Sequence, residues 1–144
     1  MPKILAFDIG TKRTGIAETD PMQIIAEAVG YVETKNLLNW LKDYVQRENP
    51  ECLVIGEPKR MHGVPSDVEA FIQSWIQKAK NALPDLKVER QDERFTSSMA
   101  QKAMIAGGMK KMKRREKGMV DQISAVLILQ AYMDRNSGPS FLWS

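Results

Sequence analysis

At 144 residues the chain has the length of one ordinary domain, enough to bury a real core. Its 43% hydrophobic and 27% charged residues exclude a disordered chain, and no apolar run approaches the roughly 20 residues of a membrane-spanning helix. The net charge of +3 is unevenly placed: six bases and one acid, Glu116, fall between Lys110 and Lys117, leaving 15 basic and 17 acidic residues elsewhere.

Lys3 to Asp8 is a short apolar run ending in an acid and reads as a strand. Gly10 and Gly15 bracket a turn, after which Gly15 to Asp20 and Ile24 to Val32 read as two more strands in an antiparallel meander. Thr34 is placed to cap a helix over Lys35 to Arg47, with Leu37, Leu38, Leu41, Tyr44 and Val45 on one face. Asn49-Pro50 ends it. Cys52 to Gly56 is wholly apolar, as expected of a strand covered on both faces. Its single cysteine has no partner for an internal disulfide and reads as a buried strand residue.

The stretch from Glu57 to Pro65 reads as a loop. Ser66 and Glu69 match a capping box that opens a helix to about Leu83, and Leu86 to Gln91 forms the fifth strand. A short helix from Thr96 or Ser97 to Ile105 stops at Gly107-Gly108. The last helix covers about Met119 to Arg135, with Val120, Ile123, Leu127, Ala131 and Asp134 in line. The order βββαβαβαα describes a single α/β domain over 1–144, a mixed five-stranded sheet with helices on both faces.

Three acids stand at element ends, where such sheets build their sites. Asp8 closes the first strand, Glu93 follows the fifth, and Asp121 lies in the first turn of the last helix. Taken singly, each has an ordinary explanation as a turn cap, a solvated ion pair or a helix-dipole partner. Brought together they repel one another unless a divalent cation joins them. An all-oxygen set suits magnesium or manganese, and two ions roughly 4 Å apart would serve phosphodiester cleavage.

The segments Asp8-Ile9-Gly10-Thr11-Lys12-Arg13-Thr14-Gly15, Asp92-Glu93-Arg94-Phe95-Thr96-Ser97 and Lys117-Gly118-Met119-Val120-Asp121 resemble the YqgF/RuvX family. The resemblance runs in order over nearly the whole chain. It includes Gly56 and Pro58 of the loop after the fourth strand, and Ile128-Leu129-Gln130 with Tyr132. That family is described as Holliday junction resolvases and as nucleases that mature the small-subunit ribosomal RNA precursor.

The resemblance implies a ribonuclease-H-like fold, magnesium-dependent cleavage of nucleic acid and a bacterial cytoplasmic setting. It makes Asp8, Glu93 and Asp121 the metal-binding acids, and puts Lys12 and Arg13 where a phosphate is held. Lys113, Arg114 and Lys117 flank the third acid. With Lys110, Lys111 and Arg115 they form a basic segment that suits a polyanion, or alternatively a solvated face. Glu57 departs from the family pattern, which often has an apolar residue there. By analogy with RuvC resolvases it is a candidate fourth ligand, against the reading of an exposed loop acid.

Weaker candidates are His62, as a loop histidine or a substrate contact, and Trp40, Trp75 and Trp143, as base-stacking rings. The first two tryptophans fit helix faces equally well. Two other functions compete with a nuclease. Asp8-Ile9-Gly10-Thr11 also resembles the phosphate loop of the actin and sugar-kinase superfamily, but those ATPases need a duplicated second domain. A non-catalytic RNA-binding module is the other, although such a binder has no use for carboxylates that repel phosphate. Precursor ribosomal RNA is favoured over a branched DNA substrate on resemblance alone. The state expected is a monomer for RNA trimming or a homodimer for symmetric junction cleavage.

Overall fold

The computed structural model describes residues 2–58, 67–92 and 117–137, the last with side chains over 122–135. Five strands form one sheet in the order β3-β2-β1-β4-β5. Strand β1 (Ile4–Ile9), β2 (Arg13–Thr19) and β3 (Ala26–Glu33) make the expected antiparallel meander. Strand β4 (Cys52–Glu57) pairs parallel to β1, and β5 (Val88–Asp92) parallel to β4. Helices α1 (Leu37–Glu48), α2 (Asp67–Ala82) and α3 (Lys117–Ser137) complete the described elements. The helix expected over 96–105 lies outside the described residues.

Side-chain alternation divides β1 between two cores. Leu5, Phe7 and Ile9 face α1 and α2, meeting Leu37, Leu41, Tyr44, Ile72 and Trp75. Ile4 and Ala6 face α3, together with Ala17, Cys52 and Val54. A strand covered on both sides has no polar face to keep, which explains the continuous apolar runs of β1 and β4. Trp40 and Trp75 sit edge-on against Phe7 at centroid distances of 6.0 and 5.8 Å. Their role is core packing, and the base-stacking alternative for these two falls.

Two expectations about helices are corrected. Thr34 belongs to a 3-10 turn (Thr34–Asn36), and its hydroxyl caps no helix. It donates instead to the Gly10 carbonyl at 2.6 Å, a long-range contact that outweighs the local cap. In α3 the buried stripe is Ser124, Ala125, Ile128, Leu129 and Tyr132, rotated from the line Ile123, Leu127 and Ala131. Small residues on that stripe bring the helix close to Ala6 and Ala17, and close packing decides the face more than hydrophobicity does.

Candidate functional site

The C-terminal end of β1 is built by a tight turn. The Gly10 N–H donates to the Arg13 carbonyl at 2.9 Å. A Cβ added at Gly10 would stand 2.7 Å from that oxygen, so only glycine allows so close an approach. Thr34 then fastens the turn from just past the end of β3: its N–H donates to the Lys12 carbonyl at 2.9 Å and its hydroxyl to Gly10. Thr34 has only one hydroxyl hydrogen, so the 2.9 Å contact between Thr14 and Thr34 is donated by Thr14. Asp8 is thereby held two residues before a fixed turn, half-buried at the end of a central strand.

Register and alternation show what surrounds it. Asp8 shares the α3 face with Ala6, and its cross-strand partner on β2 is Gly15. Phe7 pairs with Ile55, so the next residue on β4 beside Asp8 is Gly56. Gly56 in turn pairs with Gln91 of β5, and Gly15 with Tyr31 of β3. One row across all five strands therefore reads Tyr31, Gly15, Asp8, Gly56, Gln91. The carboxylate has a glycine on either side, and no side chain of its own row crowds it.

Gln91 is the member that sequence reasoning missed. Its Oε1 is buried and has no hydrogen-bonding partner among the described residues, while its Nε2 donates to the Asp92 carbonyl at 3.3 Å. A buried amide oxygen left unmatched is costly, and such atoms mark places where a water, ion or ligand group completes the structure. No sequence signal separates this glutamine from an ordinary polar strand residue.

Glu57 stands elsewhere. It pairs with Asp92 and, by alternation with Ile55, belongs to the α1–α2 face opposite Asp8. Its Oε2 lies 4.0 Å from Arg90 Nη1. Arg90 is the centre of a second arrangement not foreseen from sequence. It donates from Nη1 and Nη2 to the two oxygens of Glu69 at 2.9 and 2.7 Å, and from Nε and Nη2 to the Ile55 and Gly56 carbonyls at 3.2 and 2.9 Å. The guanidinium holds the Glu69 carboxyl below its ordinary range. It also ties the end of β4 beside Asp8 to helix α2.

Of the other expected site residues, Lys12 is exposed on the turn and Arg13 half-buried at the start of β2. Asp121 lies within α3, four residues before the buried Ala125, and Lys117 begins that helix. Glu93, His62, Trp143, Lys110, Lys111, Lys113, Arg114 and Arg115 lie outside the described residues. Among the described residues no three carboxylates, histidines or cysteines form a group able to hold a metal ion. Of the three expected acids, only Asp8 has its side chain among the described residues.

A family model described as "RuvX: Holliday junction resolvase" matches residues 2–135. The chain belongs to the RuvX family. Relatives of this family in Christiangramia forsetii and Flavobacterium psychrophilum are 48% and 49% identical over 133 and 135 residues. These matches span 92% and 94% of this chain and 98% of each relative, and both relatives bear the name "putative pre-16S rRNA nuclease". Among solved structures, RuvC of T. thermophilus in complex with a Holliday junction substrate superposes with a TM-score of 0.61. That match covers 96% of this chain and 98% of the RuvC chain at 13% identity. A second T. thermophilus RuvC structure gives 0.55 at 12% identity. The RuvX-family chain thus has the ribonuclease-H-like fold expected from its sequence. No helix among the described residues is long and apolar enough to cross a membrane.

Proposed function

We propose that this RuvX-family chain is a divalent-metal-dependent nuclease, acting in the cytoplasm on the precursor of small-subunit ribosomal RNA. The observation that carries the reading is Asp8, fixed at the end of the central strand between Gly15 and Gly56. An acid in a site lined by backbone on both sides leaves room for a hydrated cation and a phosphate, which a bulkier neighbour would fill.

Asp8, Glu93 and Asp121 are the ligands in this proposal. Glu93 follows β5 directly in the sequence, two residues beyond Gln91. Asp121 comes one helical turn before the buried Ala125 in the sequence of α3. The donor chemistry fits: oxygen-only ligands suit magnesium or manganese, and the unmatched Gln91 Oε1 on the same face adds a neutral acceptor for a bound water. Such ions supply an activated water and charge neutralisation at a phosphodiester. The chain's own part is to hold these acids on rigid elements, with Lys12 and Arg13 on the adjoining turn to bind the phosphate backbone. Lys110, Lys111, Lys113, Arg114, Arg115 and Lys117, which precede Asp121 in the sequence, add positive charge for the same polyanion. Glu57 is left out of the ligand set, because its register face and its proximity to Arg90 favour a role in bracing β4.

The experiment is incubation of the purified chain with precursor ribosomal RNA, and separately with a four-way DNA junction, in magnesium or manganese. Cleavage of the RNA by a monomer supports the proposal. Paired, symmetric cuts in the junction by a dimer would favour the resolvase reading, which needs two sites related by a dyad. Binding to RNA with no cleavage in either metal would favour a non-catalytic module.

A further inference from the structure

Tyr31 ends the row that contains Asp8, and its surroundings are unusual for an aromatic on an edge strand. A bulge opposite Ile16 and Ala17 inserts Val29 into β3, and Gly30 takes φ +150°. That extra residue sets Tyr31 opposite Gly15 and therefore on the Asp8 face, while Val32 turns to the α1 core. Tyr31 remains 51% exposed. Two strand spacings separate it from Asp8, about 10 Å, with only the glycine between.

Beside the ring is an open cleft of about 550 Å³ lined by Thr11, Lys12, Arg13, Tyr31, Glu33 and Lys35. Three bases face one acid there, and Glu33 is already engaged by Lys35 at 3.1 Å. A half-exposed aromatic in positive surroundings matches the two chemistries of a single-stranded nucleotide: a π-face for the base and cations for the phosphate. A paired base is stacked on its neighbours and has no free face to offer, so an unpaired one is specified.

Resting on the nucleic-acid reading above, we propose that this cleft binds one unpaired nucleotide of the substrate strand beside the cut site. The base lies on the Tyr31 ring, and the phosphate lies against Lys12. The site gives the enzyme a preference for single-stranded flanks that the carboxylates alone do not supply.

The test is fluorescence anisotropy of the full chain with a fluorescein-labelled single-stranded RNA of about 12 nucleotides, in chelator to prevent cleavage. Tyr31→Ala should weaken binding about tenfold or more, whereas Tyr31→Phe keeps the ring and stays within about twofold of wild type. Tyr31→Ala should leave the salt dependence unchanged, and Lys12→Ala should flatten its slope by about 0.7. Wild-type affinity in Tyr31→Ala, or no rescue by phenylalanine, overturns the proposal. So does sedimentation showing a self-associated wild type and a monomeric Tyr31→Ala, which would make the ring a contact between copies. The two levels fail differently. A wild type that neither binds RNA nor cleaves it in magnesium defeats the nuclease reading as well. A wild type that cleaves, with Tyr31→Ala binding and cleaving equally well, defeats only the Tyr31 cleft.

Discussion

Arg90 and Glu69 meet as a two-pronged ion pair, both guanidinium ends on both carboxylate oxygens at 2.9 and 2.7 Å, across 21 residues of chain. The same guanidinium satisfies the carbonyls of Ile55 and Gly56, so the pair joins α2, β4 and β5 at the end of the sheet that carries Asp8. Removing the arginine would leave a carboxylate that is only 7% exposed without its main partner, together with two carbonyls. Arg90→Ala should therefore cost about 3 kcal/mol in urea unfolding. A loss under about 1 kcal/mol would show that the pair is replaceable by water.

The same pair predicts an acid limb in stability. Hydrogen bonds from Arg90 hold the Glu69 carboxyl below its ordinary value of 4.5. A folded-state value below the unfolded one means the stabilisation is complete above about pH 4.5 and is lost as the pH falls further. Unfolding midpoints measured from pH 6 downward should drop more steeply in wild type than in Glu69→Gln. Parallel curves for the two would assign the acid limb to other carboxylates.

Thr34 and Gly10 make the second joint near the site. Thr34→Val keeps the shape but removes the hydroxyl that reaches the Gly10 carbonyl and receives the Thr14 hydrogen, which should cost about 2 kcal/mol. Gly10→Ala places a Cβ 2.7 Å from the Arg13 carbonyl and forces the turn itself to move. Both variants should lose nuclease activity beyond their loss of stability, because Asp8 is positioned by that turn. Full activity at a temperature where both are folded would separate the turn from the site.

Cys52 offers a probe of the α3 packing. It is 1% exposed, its Sγ lies 3.7 Å from the Tyr132 hydroxyl, and burial pushes its thiol upward from the usual range. The folded chain should resist a thiol reagent at pH 8 and react fully once unfolded. Rapid labelling of the native chain would mean that α3 opens away from β4.

Periodicity and apolar runs revealed the strands, the three described helices and the two-sided cover, because those features depend on neighbours in sequence. The sheet alternation that places Asp8 with Gly15 and Gly56 was not visible, since it depends on register between strands far apart in the chain. Thr34 illustrates the limit: locally it is a helix cap, but a carbonyl 24 residues earlier competes for its hydroxyl and wins. Arg90 and Gln91 read as ordinary polar strand residues until β5 is laid beside β4. The buried stripe of α3 includes Ser124 beside Ala125, Ile128 and Leu129, because the small residue lets the helix settle onto the sheet. The position of Asp8, in an apolar strand just before a glycine turn, was legible in the sequence.

In the proposed mechanism Asp8 works with Glu93 and Asp121 to hold the catalytic metal. The most direct measurement is single-turnover cleavage of precursor ribosomal RNA in magnesium by wild type, Asp8→Asn, Glu93→Gln and Asp121→Asn, with folding checked for each. Wild type should cleave, and each variant should lose at least about a hundredfold in rate with RNA affinity retained. Cleavage by Asp8→Asn at the wild-type rate would contradict that mechanism.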